Sequence, residues 1–197
     1  MEPQLNITEP PSNIPTKSID LLRTCLGKRI LRLVRYSWWP AEQVASHGDT
    51  RDDQAFSLTA GPLAICFEGG AILGLGSDSP LVSVVVWDEA SMKKHDESSA
   101  MDQDEELFPI ADSGRFAGAG WQHFAGQVLK EVIVLERAPK NAKEESRSRE
   151  TGLRFRCEDG SSFVASHGLH DGSDDFSVLE ESQLGNAVLK PILTLSA

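Results

Sequence analysis

One short pattern occurs twice in the chain and constrains its fold more than any other feature. Leu63, Ile65 and Phe67 alternate with Ala64, Cys66 and Glu68. Alternation with period two marks a strand with one buried face. Gly69-Gly70 then reads as a two-residue turn, because glycine reaches positive φ at little cost. Leu73 and Leu75 resume the alternation on a return strand. At a constant offset of 90 residues (Leu63 to Leu153), Leu153, Phe155, Glu158 and Phe163 stand where Leu63, Ile65, Glu68 and Leu73 stood. Asp159-Gly160, a favoured hairpin turn, replaces Gly69-Gly70.

A second element precedes each hairpin. Gly27 and the apolar run Ile30 to Val34 resemble Gly126 and the run Val128 to Ile133, now at an offset of 99 (Gly27 to Gly126). The two connectors must therefore differ in length. The order of elements repeats as well as the pattern. Two copies fall short of a solenoid, which needs three or more. The expected fold class is α+β, mainly antiparallel β, with two pseudo-repeated strand/hairpin units and a few short helices. The units are expected at about 18–88 and 114–180, inside a single domain over 18–197. An acidic loop over 88–106 would join them, and residues 1–17 would form an extended N-terminal arm rich in proline (Pro3, Pro10, Pro11, Pro15).

The chain has 197 residues and a formal net charge of -11. Phosphate recognition needs clustered Lys and Arg, so direct nucleic-acid binding is not expected. Such a charge serves solubility or a basic protein partner. Three cysteines, Cys25, Cys66 and Cys157, make no even disulfide framework. Buried reduced thiols are the expectation, with the cytoplasm as compartment. No signal peptide or apolar membrane span is legible, so no membrane association is expected.

A short helix capped by Thr16 or Ser18 is expected through Leu26, stopped by Gly27. In the strand that follows, Lys28, Arg29, Arg32 and Arg35 are expected on a solvated face, or alternatively as a basic contact patch. Trp38-Trp39 cannot share one strand face. They either pack in the core or leave one indole exposed as an interface anchor. Leu81 to Trp87 is β-branched and apolar, which points to a strand that is central or buried on both faces. The last apolar run, Val188 to Leu195, contains Pro191 and reads as an edge strand or a bulge.

Two acidic clusters stand out as partner-binding candidates. The first holds Asp96, Glu97, Asp102, Asp104, Glu105 and Glu106 in a window where only Lys93 and Lys94 oppose them; it reads as a mobile loop. The second holds Asp171, Asp174 and Asp175. A solvated linker is the plain alternative. His167 and His170 have a weakly specific metal-ligand spacing with no second histidine pair nearby. Asp171 to Asp175 lacks the order of a calcium loop. No nucleophile elbow, phosphate loop or dinucleotide fingerprint occurs. The expectation is therefore no enzyme, no catalytic residues, no metal and no cofactor.

The doubled order of a Gly-led strand, a connector and a hairpin bearing Phe67-Glu68-Gly69-Gly70 or Cys157-Glu158-Asp159-Gly160 resembles small bacterial immunity proteins. These are cytoplasmic antidotes of polymorphic toxins, including type VI secretion effector–immunity pairs. The resemblance covers most of residues 18 to 180. It implies one-to-one binding and neutralisation of a cognate toxin, with a basic nuclease domain as the expected partner, covered by acidic surface. Trp38, Trp39 and the two acidic clusters are our own candidate contacts. A small β-rich enzyme or ligand-binding domain is the alternative.

Overall fold

The computed structural model describes residues 13–47, 50–92, 100–170, 175–184 and 189–197, with backbone only at positions 45 and 47. Ten strands form two antiparallel five-stranded sheets. The first contains β1 (Ile30–Ser37), β2 (Leu63–Phe67), β3 (Ile72–Asp78), β4 (Ser83–Asp88) and β5 (Phe108–Ala111), in the order β4-β3-β2-β1-β5. The second contains β6 (Leu129–Arg137), β7 (Gly152–Cys157), β8 (Ser162–His167), β9 (Phe176–Glu180) and β10 (Leu189–Ser196), in the order β10-β6-β7-β8-β9. Strand for strand, the two orders are the same. Among the described residues four short α-helices accompany them: α1 (Ile19–Cys25), α2 (Ala41–His47), α3 (Ala55–Leu58) and α4 (Ala142–Glu145).

The repeat reaches the register of individual residues. Ile30 pairs with Phe67, and after a bulge Arg32 pairs with Cys66 and Leu33 with Ile65. Leu129 pairs with Cys157, and after a bulge in the same place Glu131 pairs with Arg156 and Val132 with Phe155. In both units Gly supplies a left-handed backbone position before the first strand, with φ of 74° at Gly27 and 92° at Gly126. The two units meet there. Arg29 and Val128, equivalent residues, form an antiparallel bridge. Gly27 N donates to Leu129 O and Gly126 N to Ile30 O, each at 2.8 Å. Ile30 N donates to Gln127 O and Leu129 N to Lys28 O, at 2.8 and 2.9 Å. Each bond has its counterpart with the units exchanged, so a local two-fold axis passes through the bridge, as in an isologous interface.

Residues of both sheets contribute to one continuous core. Leu33, Ile65, Leu73 and Val86 come from the first sheet, and Val132, Phe155, Phe163 and Val178 from the second. Trp121 and Phe124 meet the Phe163 ring edge-on, and the Trp121 indole N–H reaches Ser57 Oγ at 3.1 Å. The two units fill this core with complementary volumes. Phe155, Phe163 and Phe176 stand where unit one has Ile65, Leu73 and Val84, while Cys157 and Ala165 stand where it has Phe67 and Leu75. Close packing of large against small satisfies the density a core requires.

Several expectations need correction. The hairpins do not turn on two residues: Phe67 N bonds Ala71 O and Cys157 N bonds Ser161 O, enclosing three-residue loops. Gly70 and Gly160 hold their left-handed positions, with φ of 81° and 88°. Strand β2 is buried on both faces, not one. Its outer face lies under Met101, which packs with Val34, Tyr36, Ala64 and Cys66. β4 is an edge strand, not a central one. Its outward N–H groups are satisfied elsewhere: Val84 N donates to Glu150 O at 2.9 Å and Val86 N to Asn13 O at 2.8 Å. That contact means Asn13 to Lys17, assigned by sequence to an extended arm, are packed in place. Ile14 and Pro15 are buried and Pro15–Lys17 forms a 3-10 turn. Each unit also carries a fifth strand, β5 or β10, beyond the expected boundaries. As read from Pro191, β10 is both an edge and bulged, between Pro191 and Leu193.

Candidate functional site

The end of β1 is where the first unit departs from the second. The strands of the first elements are offset by 99 residues and those of the hairpins by 90, so the connector from β1 to β2 is nine residues longer than that from β6 to β7. The longer connector holds Trp38, Trp39, α2 and α3. Both indoles are exposed, Trp38 at 51% and Trp39 at 64%. Core packing of the pair, one of the two readings of the sequence, does not occur. Large apolar side chains left in water by a stable scaffold mark contact surfaces.

A cleft of about 570 Å³ opens beside them. Trp38, Trp39, Val44, Leu58 and Ala60 form its apolar wall. Ser37, Gln43, Thr50 and Thr59 add uncharged polar groups. Ser37 is itself buried, and its Oγ accepts from Trp39 N at 3.2 Å, which fixes the backbone turn carrying the indoles.

The wall from residue 56 to 61 rests on Arg35. Sequence placed this arginine on a solvated strand face with Lys28, Arg29 and Arg32. It is instead fully buried, at the core position where unit two has Val134. Among the described residues its guanidinium meets no carboxylate. Nε donates to Phe56 O at 3.0 Å and Nη2 to Phe176 O at 2.8 Å. Further short contacts reach Gly61 O and Thr59 O. The guanidinium carbon also sits 4.6 Å from the centre of the Phe176 ring. Burial lowers its pKa to about 9, which leaves it charged at neutral pH. Carbonyl dipoles and the ring face take the place of a counter-ion. Gly61 completes the wall: a Cβ there would lie 2.3 Å from Tyr36 O, so only glycine lets the loop approach β1 this closely.

The first acidic segment reaches the same end of β1. Glu89, buried, accepts from Trp87 Nε1 at 2.6 Å and from Met101 N at 2.9 Å, so its carboxylate ties residue 89 to residue 101. The described ends of this segment are thus anchored, in contrast to the mobile loop expected from composition. Asp102 accepts from Tyr36 Oη at 2.6 Å and lies 3.9 Å from Arg32. It is committed to the fold and not a free acidic contact. Asp104, Glu105 and Glu106 are exposed, with Asp104 Oδ1 accepting from Glu106 N at 2.9 Å. The chain then enters β5, where Phe108, 38% exposed, pairs with Ser37.

The structure therefore brings Trp38 and Trp39 together with Asp104, Glu105 and Glu106 at one end of the β1–β5 pair. Asp175 is exposed elsewhere, beside β9. Asp96, Glu97, Asp171 and Asp174 lie outside the described residues. His167 is buried in β8 and His170 is exposed. Among the described residues no cluster of three metal-ligating side chains occurs. Cys25, Cys66 and Cys157 are buried, and none is in a disulfide among the described residues. Arg35 escaped the sequence reading because the stretch Gly27 to Tyr36 carries four basic residues and nothing local separates the buried one. The offset to Val134 was the available signal. No helix among the described residues is long and apolar enough to cross a membrane. No family model, curated protein or solved structure matches the chain.

Proposed function

We propose that this chain is a partner-binding protein of the immunity type, which binds and neutralises a cognate toxin in the cytoplasm without chemistry of its own. One observation carries the reading: three aromatic side chains, Trp38, Trp39 and Phe108, stand exposed at one end of a strand pair, next to a turn with three exposed carboxylates. Aromatic anchors supply most of the binding energy at protein interfaces. Carboxylates at the rim steer a basic partner and raise its association rate. A basic nuclease effector has the matching charge for an inhibitor of net charge -11.

The test pairs the purified chain with the protein encoded by the adjacent gene. The expected result is a one-to-one complex, loss of the partner's toxicity, and affinity at least ~100-fold weaker for Trp38→Ala/Trp39→Ala. A neighbouring protein that neither binds nor is neutralised overturns the reading. The cleft supports a second one, a small-ligand-binding domain, because ~300–1,000 Å³ is the usual range of ligand sites. A thermal-shift screen against metabolites addresses it.

A further inference from the structure

Val84-Val85-Val86 is an uncharged, β-branched run in β4, an edge strand of the first sheet. An open edge of that composition pairs readily with another chain. The other edges carry their own protection. β5 is four residues long and contains Pro109, and β10 is interrupted by Pro191 and its bulge. α3 packs against β9, where Arg35 also takes Phe176 O. β4 runs six residues with no proline and no register shift. Its outward N–H groups at Val84 and Val86 are covered from outside the sheet, by Glu150 O and Asn13 O.

We infer that residues 13–17 are a strap, latched by Glu150, that keeps β4 from pairing with β4 of a second copy of the chain. Glu150 touches both sides of the contact. Its N donates to Ser83 Oγ at 3.0 Å, and its O accepts from Val84 N at 2.9 Å. Its carboxylate is buried and therefore needs donors. Thr16 supplies two, N at 2.9 Å and Oγ1 at 2.5 Å. Bonds to an ionised acceptor are the stronger class. They hold the turn Pro15–Lys17, with Ile14 and Pro15 buried, so that Asn13 O reaches Val86 N at 2.8 Å. Without the strap, Val86 N–H is an open donor on an apolar strand. Two such edges meet antiparallel about a two-fold axis, each satisfying the other. Ser83 to Trp87 carries no charge, so self-pairing sets no like charges face to face in a chain of net charge -11.

Hydrogen exchange and sedimentation velocity on the full-length protein test this, with Glu150→Ala and Thr16→Val as variants. Wild type is expected to stay monomeric as concentration rises, with the Val86 amide protected. Both variants should exchange that amide at least ~10-fold faster, and Glu150→Ala should associate as concentration rises. Val85 alternates with the inward Val84 and Val86 and is half-buried. Glu150→Ala/Val85→Lys therefore places a charge on the edge and should restore the monomer. Association through general unfolding would not respond to Val85→Lys, so the double variant separates the two causes. Equal Val86 exchange in wild type and both variants overturns the inference. So does a Glu150→Ala protein that exchanges fast yet stays monomeric, or association that Val85→Lys leaves unchanged. A wild type already paired through β4 overturns it as well.

Discussion

The two units of this chain share strand order, bulge position and hairpin loop, yet among the described residues only the first shows an exposed aromatic cleft. Where unit two returns from β6 to β7 by a short connector with the single turn α4, unit one inserts nine more residues. Where unit two has Val134 in the core, unit one has Arg35. The scaffold tolerates the longer connector because Arg35 supplies donors to three of its carbonyls, at Phe56, Thr59 and Gly61, and to Phe176 of the opposite sheet. Duplication thus provides an internal control. Shared features belong to the fold, and the feature present once is the candidate for function.

The sharpest way to break this comparison is Arg35→Val, which makes unit one copy unit two. It removes the donors to four carbonyls, and a buried unsatisfied polar group costs ~1–3 kcal/mol. Relief of a buried charge offsets part of that loss. The expected net destabilisation is ~3 kcal/mol, read as a lower urea midpoint at unchanged slope. A loss under ~1 kcal/mol would mean the cleft wall stands without the guanidinium, and the control would lose its meaning.

The repeat was legible because period-two alternation and paired turn residues are local, and the offsets of 90 and 99 recur unchanged as strand registers. Pro191 likewise announced an edge and a bulge through its missing N–H. Long-range contacts were not legible. Nothing in Leu81 to Trp87 shows that an edge strand is sealed by Asn13 and Glu150. Nothing in an acidic run shows that Glu89 turns inward to hold Met101 while Glu105 faces water. Composition counted Asp102 as free charge; a tyrosine 66 residues earlier in sequence occupies it. For the candidate site, the tryptophans were legible as a pair, but their exposure depends on the turn that Ser37 fixes. The cleft itself is a product of packing between α2, α3 and that turn.

A second prediction sharpens the shared half of the comparison. Gly27 and Gly126 have left-handed φ and flank the two-fold bridge. A Cβ at Gly126 would meet nothing within 4 Å, and one at Gly27 only Ala197 Cβ at 3.9 Å. Alanine therefore costs conformational strain alone, ~1 kcal/mol at each site. Equal losses in Gly27→Ala and Gly126→Ala are expected from chemical unfolding. Losses that differ by more than ~1 kcal/mol would show that the two positions, alike in geometry, bear unequal strain.

The smallest effect concerns Cys157, which occupies the core position of Phe67. Burial raises its thiol pKa to about 11, from an ordinary 9.0. In the unfolded chain the thiol ionises near 9, while in the folded chain it stays neutral. Between these values the unfolded state binds fewer protons, so stability falls as pH rises. The contribution of the thiol is complete below about pH 9 and is lost progressively toward about pH 11. The stability gap between wild type and Cys157→Ala should narrow over that window, in urea midpoints taken at each pH. Alkylation by iodoacetamide should likewise be slow in the native protein and fast on unfolding. A gap that stays constant with pH would mean the thiol ionises as readily folded as unfolded. Water would then reach the place that Phe67 closes in unit one, and the two halves of the core would not be sealed alike.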